Sequence, residues 1–513
     1  MGKGKQLSIS LITQLISFAL NLAISFFLTP YVIEFIGKDV YGFVSLANNF
    51  TSYVSVFTVA LNGILSRYVT IAYSQKDYDS AGKYFSSVLF ANTAIMIVLL
   101  PLSVGFVAGL EHFINLPAGH ELDVKILFLF VFLSFLINLP GCCYNTATYA
   151  CNRLDKSNLC NMMGSVIRIA VIMVMLLTLK PHVWYVGIGS LISTVYVIVI
   201  NMRYKRQLMP QVGISLRKFD WKAVRELLSV GVWNSINQLT QLLMTGLDLI
   251  IANLFISVAS MNLLSYAKMI PTQLLSLISL VAGLFAPMMT IAFASRDAKN
   301  FIRETNFAMK LCGILCGVPI IGLIVFGEDF FSLWLKALTA EEVHTVAILS
   351  VLTILPQVFS VYVYPLYTVN TVTARLKVPV LVSVVLGVLN VIIVFVLVQT
   401  TSMEIYAVAG VSSILSVGRI LVFAPMYAAH SIHAPYTTFY KPLARGLLSN
   451  AVMGAIFVGI RKLFPITGWG SFAAVCGAAG IVGYGIVFLI ILDREEKKKV
   501  LGYISRTVRR TAK

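Results

Sequence analysis

The sequence predicts an all-α polytopic membrane protein of about fourteen transmembrane helices, and three observations carry that prediction. The first is composition: of 513 residues, 58% are hydrophobic and only 12% charged, with a mean hydropathy of +0.88. Soluble domains carry roughly 25% charged residues. Thirty-nine Lys and Arg with 21 Asp and Glu are too few to coat the surface of a soluble chain this long, so soluble and disordered classes are excluded. The second is periodicity. The apolar runs extend about 20 to 30 residues, long enough to cross a hydrocarbon core of about 30 Å as helices. None shows the alternation over about ten residues that a barrel strand requires. The third is where the charge falls. With the N-terminus inside, 28 Lys and Arg lie on cytoplasmic segments and six on outer ones. That is the positive-inside pattern. The net charge of +18 is therefore a topology signal that also attracts anionic headgroups, and it calls for no nucleic acid.

The spans follow in order. Span one, 7–30, comes after Lys3 and Lys5; it is too long for a signal-peptide h-region and no A-x-A site follows, so it reads as a retained span carrying Gln14 and Asn21. Span two, 40–73, holds Asn48 and Asn49, with Arg67 near its inner end where its head can snorkel to the headgroups. Spans three, 84–109, and four, 124–150, contain no deep charge, and span five, 157–179, has Arg168 near its middle. Span six, 183–202, runs into a basic stretch, 203–225. Span seven, 226–256, places Asn234, Asn237 (or Gln238) and Gln241 on one stripe at helical spacing and carries Asp248, the one acidic residue deep in a span. Span eight, 260–293, holds Lys268, Pro271 and Pro287, and span nine, 304–326, holds Lys310, read as snorkelling, and the packing pattern Gly313-x-x-x-Gly317. Span ten, 343–370, is rich in aromatics, including Phe359, Tyr362, Tyr364 and Tyr367, with Pro365 among them. Span eleven is 378–398, and span twelve, 405–429, contains Arg419. Spans thirteen, 443–461, and fourteen, 469–492, precede a basic tail, 493–513. There Val500, Leu501, Ile504 and Val508 share one helical face, as in a helix lying on the inner leaflet.

Two echoes expose an internal repeat. Thr70-Ile-Ala-Tyr-Ser-Gln-Lys-Asp77 closes span two and Thr290-Ile-Ala-Phe-Ala-Ser-Arg-Asp297 closes span eight, 220 residues later; Arg153-Leu154 answers Arg375-Leu376 at an offset of 222. The repeated unit is six spans. An even number keeps both copies in one orientation, related by an axis along the membrane normal. The expected organisation is an N-lobe, 1–202, a basic cytoplasmic linker, 203–225, a C-lobe, 226–430, two further spans in 431–492 and a basic cytoplasmic tail, 493–513. Two six-helix lobes facing each other across a cleft suit alternating access.

A charge at a helix centre costs about 2.5–3.5 kcal/mol on insertion scales, so each needs a reason. Asp248 and Lys268 lie ten residues either side of Val258 and reach similar depth, either as a structural ion pair or with Asp248 as a cation or proton site released from Lys268. Arg168 and Arg419 occupy opposite lobes without an acidic partner in the spans; they bond backbone carbonyls between helices or face an anionic ligand, for which the guanidinium fork suits phosphate. The stripe Asn234, Asn237, Gln241, with Gln14 and Asn21, either glues helices or lines a wet cleft. Tyr362 either packs or offers a ring and a hydroxyl to a sugar.

Other chemistry is excluded. Seven cysteines form no C-x-x-C pair and read as apolar packing; His430 and His433 have no Cys or carboxylate nearby to complete a metal site. No Walker A motif and no catalytic constellation occur, and outer loops of at most about 16 residues leave little room for a glycan-joining enzyme. No enzyme activity and no bound cofactor are expected.

Twelve spans in two parallel lobes, two further spans, and the opening Leu-Ile-Thr-Gln14, Asn21, Pro30-Tyr and Gly37-x-x-x-Tyr41-Gly42 resemble the bacterial polysaccharide transporters. These are the Wzx-type oligosaccharide flippases of the multidrug/oligosaccharidyl-lipid/polysaccharide exporter superfamily. The resemblance implies a multi-pass protein of the bacterial plasma (inner) membrane with both termini cytoplasmic. It would move undecaprenyl-diphosphate-linked glycan between leaflets for O-antigen, capsule or exopolysaccharide assembly. It also implies coupling to a proton or sodium gradient, a cationic cavity matching Arg168 and Arg419, and partners among membrane lipids and polysaccharide polymerase or assembly proteins. The alternatives within the superfamily are a peptidoglycan lipid-precursor flippase and a cation-coupled multidrug exporter.

Overall fold

A computed structural model describes residues 3–294, 297–373, 375, 377–493 and 496–497. Seventeen α-helices run through them, and no strand occurs among the described residues: α1 (Lys3–Ile36), α2 (Lys38–Ser74), α3 (Tyr78–Ala108), α4 (Glu121–Gly141), α5 (Thr146–Ala150), α6 (Leu154–Thr178), α7 (Trp184–Leu208), α8 (Trp221–Gln241), α9 (Asp248–Phe255), α10 (Val258–Ala294), α11 (Ala298–Trp334), α12 (Ala340–Val372), α13 (Lys377–Thr400), α14 (Glu404–Gly418), α15 (Ala424–Ser431), α16 (Tyr440–Leu463) and α17 (Trp469–Ile491). Among the described residues, twelve helical stretches are long and apolar enough to span a membrane; two bent pairs, in α2 and in α8–α9, bring the number to fourteen. The chain is a multi-pass membrane protein, and these fourteen coincide with the spans read from the sequence.

The helices gather into two compact units, Met1–Ser265 and Tyr266–Lys513. The division falls inside α10, not at 203–225, and span seven packs with the first unit. Close approach explains this. A Cβ on Gly231 of α8 would fall 1.8 Å from the Ala60 carbonyl oxygen of α2, so only glycine lets these backbones touch. The Ser235 hydroxyl of α8 then donates to the Val56 carbonyl of α2.

The stretch 203–225 is folded rather than slack. Met209 and Val212 are fully buried against α2 and α3, Ser86 Oγ accepts the Ser215 N–H, and Ser87 Oγ accepts the Asp220 N–H. Asp220 caps α8 and pairs with Lys83. Hydrogen bonds from Lys83 and from the Lys222 N–H hold its carboxyl below the usual carboxylate range.

In the second unit, a core of α10, α11, α12, α15, α16 and α17 surrounds Tyr362. Gly313 and Gly446 bear on the Tyr362 ring, and its hydroxyl bonds the Gly446 carbonyl at 3.0 Å and Asn450 Oδ1 at 2.9 Å. Spans thirteen and fourteen are therefore built into this unit.

The repeat has a structural basis in both echoes. Asp77 caps α3 by accepting the Ser80 N–H, and Asp297 caps α11 by accepting the Asn300 N–H. Capping selects Asp there in both copies. The Arg153 N–H reaches the Thr148 carbonyl and the Arg375 N–H the Asn370 carbonyl, each five residues back.

Candidate functional site

Two π-helical turns interrupt the spans among the described residues, and each lies beside a deep charge. Leu242–Gly246 breaks span seven, and α9 leaves it with a 41° bend. Asp248, the first residue of α9, is only 2% exposed. The Gly246 carbonyl at this junction accepts from Tyr53 Oη at 2.6 Å and from Asn49 Nδ2 at 3.3 Å. An extra residue in the helical ladder frees a carbonyl for side chains, which is why π-turns recur at functional sites. Asp248, the Gly246 carbonyl, the Tyr53 hydroxyl and the Asn49 amide thus form an oxygen-rich cluster in the first unit. Tyr53 escaped the sequence reading, although the Asn49-x-x-x-Tyr53 spacing puts both on one helical face. Lys268, partly buried on α10, belongs to the second unit.

The second π-turn, Arg419–Phe423, begins at Arg419 itself. One guanidinium nitrogen donates to Ser383 Oγ of α13 at 2.8 Å, while Nε is buried without a hydrogen-bond partner among the described residues. The Ser383 hydroxyl in turn donates a hydrogen bond to the Pro379 carbonyl at 2.8 Å. Arg168 sits on α6 in the first unit, within electrostatic reach of Tyr41; its Nε, too, is buried without a partner among the described residues. Tyr41 shares a hydrogen bond of 3.3 Å with Thr29. Each arginine has a buried donor that a phosphate oxygen would satisfy.

The remaining candidates divide. Asn237 and Gln241 are exposed on one face of α8, and the side chain of Asn234 lies outside the described residues. Gln14 is exposed on α1. Asn21 ties α1 to α6, accepting from Ser165 Oγ at 2.8 Å. Tyr362 is fully buried with its hydroxyl satisfied, so it packs helices in this conformation and offers no ring to a sugar. The expectation for Lys310 also needs correction. Instead of snorkelling it is 6% exposed and bonded at 2.8 Å to both Asp493 and Glu496. The two carboxylates compensate a cation that the surrounding helices have taken out of water. The apolar face proposed for Val500, Leu501, Ile504 and Val508 lies outside the described residues.

No metal-ligating cluster of three or more His, Cys, Asp or Glu occurs among the described residues. The groups around Asp248 are hard oxygens, which do not suit a soft transition metal.

No protein-family model matches the chain. A curated relative, the uncharacterized membrane protein EpsK of Bacillus subtilis strain 168, is 26% identical over 502 residues, covering 98% of both chains. Among solved structures, lipid II flippase MurJ in an inward closed conformation aligns with a TM-score of 0.65 at 16% identity, covering 93% of this chain and 97% of that one. An inward-facing multidrug resistance MATE family transporter of the MOP superfamily aligns with a TM-score of 0.66 at 13% identity, covering 81% of this chain and 95% of the transporter. With fourteen candidate spans in the expected order and likeness along almost its whole length, the chain shares its fold with lipid II flippase MurJ and with the multidrug resistance MATE transporter.

Proposed function

We propose that the protein is a flippase moving undecaprenyl-diphosphate-linked oligosaccharide repeat units from the inner to the outer leaflet of the plasma membrane, for O-antigen, capsule or exopolysaccharide synthesis. Movement is by ion-coupled alternating access, without enzymatic chemistry on the glycan. The observation that carries this reading is the balance of deep charge, three basic residues (Arg168, Lys268 and Arg419) to one acidic (Asp248). An anionic diphosphate is matched by buried guanidinium donors, whereas a cationic drug would want carboxylates. The reach of the alignment supports it: 93% of the chain matches a lipid flippase, against 81% for the multidrug transporter.

In this mechanism Arg168 and Arg419 each supply a donor to phosphate oxygens. Asn237 and Gln241, exposed on α8, offer hydrogen bonds to sugar hydroxyls, and the polyprenyl tail stays in lipid. Asp248 takes the coupling proton or sodium ion. The bound cation neutralises a carboxylate that is otherwise buried, and that change of charge biases span seven between two conformations.

A peptidoglycan-precursor flippase is the second reading, favoured by the likeness to MurJ; a cation-coupled multidrug exporter is the third, favoured by buried Asp248. Mass spectrometry of polyprenyl-diphosphate-linked glycans in cells with and without the gene separates the three. Accumulated repeat units and lost surface polymer are expected. Accumulated peptidoglycan precursor would select the second reading, and unchanged pools of both would leave the third.

A further inference from the structure

The two copies of the repeat also differ, and the difference is in charge. At the turn entering α6, Arg153 is followed two residues later by Asp155, whose carboxylate takes two guanidinium bonds of 3.0 Å. At the offset of 222, Arg375 corresponds to Arg153, but the place of Asp155 is taken by Lys377. The backbone bond five residues back is the same in both turns. The geometry is kept while the neutralising acid is replaced by a second cation.

Among the described residues, the Arg375 guanidinium makes only long contacts in return. One guanidinium nitrogen lies 3.5 Å from the His430 carbonyl oxygen and the other 3.4 Å from His433 Nε2. Both are at the outer limit for a hydrogen bond, and neither acceptor is charged in neutral histidine. His430 stands 222 residues after Leu208, whose carbonyl takes the Tyr73 hydroxyl in the first unit. His433 holds a left-handed backbone, φ 56°, in the turn after α15, a position that helix ends usually give to glycine. The Tyr427 hydroxyl fixes the turn from behind by donating to the Arg375 carbonyl at 3.3 Å. Lys377, His430 and His433 are exposed, and no carboxylate bonds any of the four basic groups among the described residues. Val372 ends α12, Lys377 begins α13 and Ser431 ends α15, so the four basic residues stand at the ends of candidate spans, where a spanning helix meets lipid headgroups.

We propose that Arg375, Lys377, His430 and His433 form a phosphate-binding site at this end of the second unit, which takes the headgroup of an anionic amphiphile. The Arg375 fork would grip two phosphate oxygens, Lys377 adds a point charge, and each imidazole can donate a ring N–H. The unit-one turn has no such site because Asp155 already occupies its arginine. Two sources share the chemistry: a bulk anionic phospholipid and the diphosphate of a prenyl-linked lipid. The site uses neither Arg168 nor Arg419, so it neither needs nor proves the flippase reading.

The test uses the full-length protein in phosphatidylcholine nanodiscs. Binding of dioctanoyl-phosphatidylglycerol, of farnesyl diphosphate and of dioctanoyl-phosphatidylcholine as control is measured by calorimetry. At least one anionic probe should bind, and Arg375→Gln with Lys377→Gln should weaken it by about tenfold or more. Preference for phosphatidylglycerol assigns the site to bulk lipid, and preference for farnesyl diphosphate to a prenyl lipid. Asp155→Asn should create a second, weaker site in a chain whose own site is intact, which keeps the test alive if the double variant fails to fold. Equal binding by wild type and the double variant, or no anion binding at all, would overturn the proposal. Neither result touches the glycan pools, so failure here is distinguishable from failure of the flippase reading.

Discussion

At the scale of single residues, burial and bonding separate groups that the sequence treats alike. Arg168 and Arg419 each keep a buried Nε donor without a partner among the described residues. Alanine at either is expected to cut transport of a diphosphate-linked glycan severalfold while the protein still accumulates. Unchanged flux in both single variants and the double would remove them from the site. Tyr362 is the opposite case. Phenylalanine there deletes two hydrogen bonds inside a packed interface and should cost about 1–2 kcal/mol of stability, read as a lower thermal midpoint, with flux per folded molecule unchanged. A sugar-contacting tyrosine would give the reverse, normal stability with lost flux. Asp493 carries a prediction in pH. Hydrogen bonds from Lys310 and then from Arg445 hold its carboxyl down, to about 2. A depressed carboxyl contributes stability above its unfolded pKa of about 3.9 and loses it as pH falls toward 2. Thermal melts of the wild type should therefore fall more steeply below pH 4 than those of Asp493→Asn, and parallel curves would show that the clamp contributes nothing.

At the scale of elements, span existence and order were legible because bilayer crossing imposes length and hydropathy on each helix separately. Pairing between helices was not legible. Hydropathy cannot tell which face of span seven meets α2, whereas the contact depends on one missing side chain, Gly231. Leucine there has nowhere to go, since its Cβ alone would overlap the Ala60 carbonyl. Gly231→Leu should separate α8 from α2 and reduce folded yield strongly; a normal yield with normal elution in detergent would show that the two helices do not pack this way. The π-turns were illegible for a related reason, because a one-residue insertion in the ladder changes neither length nor composition. The deep charges next to them were visible, and Asp248 and Arg419 reached the candidate site from sequence alone. Tyr53 became a candidate only when the Gly246 carbonyl that it satisfies was located.

At the scale of the whole molecule, the repeat gave the six-span unit, and both pairs of echoing residues occupy equivalent caps and turns. It did not give the boundary between compact units, which lies in α10 because close packing on α2 draws span seven into the first unit. Nor did it give the role of spans thirteen and fourteen, which have no repeat partner. In the structure α16 closes on Tyr362 through Gly446, and the residues after α17 reach back to buried Lys310. Ending the chain after residue 437 would strip Lys310 of both carboxylates and leave Tyr362 without its acceptors. Removing the partners of a buried charge typically costs about 3–5 kcal/mol, a large share of the stability of a marginal fold. The shortened chain should therefore fail to accumulate as a monodisperse species in fluorescence-detected size exclusion. Adding Lys310→Met to it should recover part of the signal, because an unbranched apolar side chain of similar length removes the charge and still fills the space. A shortened chain that accumulates and transports like the full one would show that the last two spans are dispensable, and failure of Lys310→Met to recover any signal would place their contribution elsewhere than in this clamp.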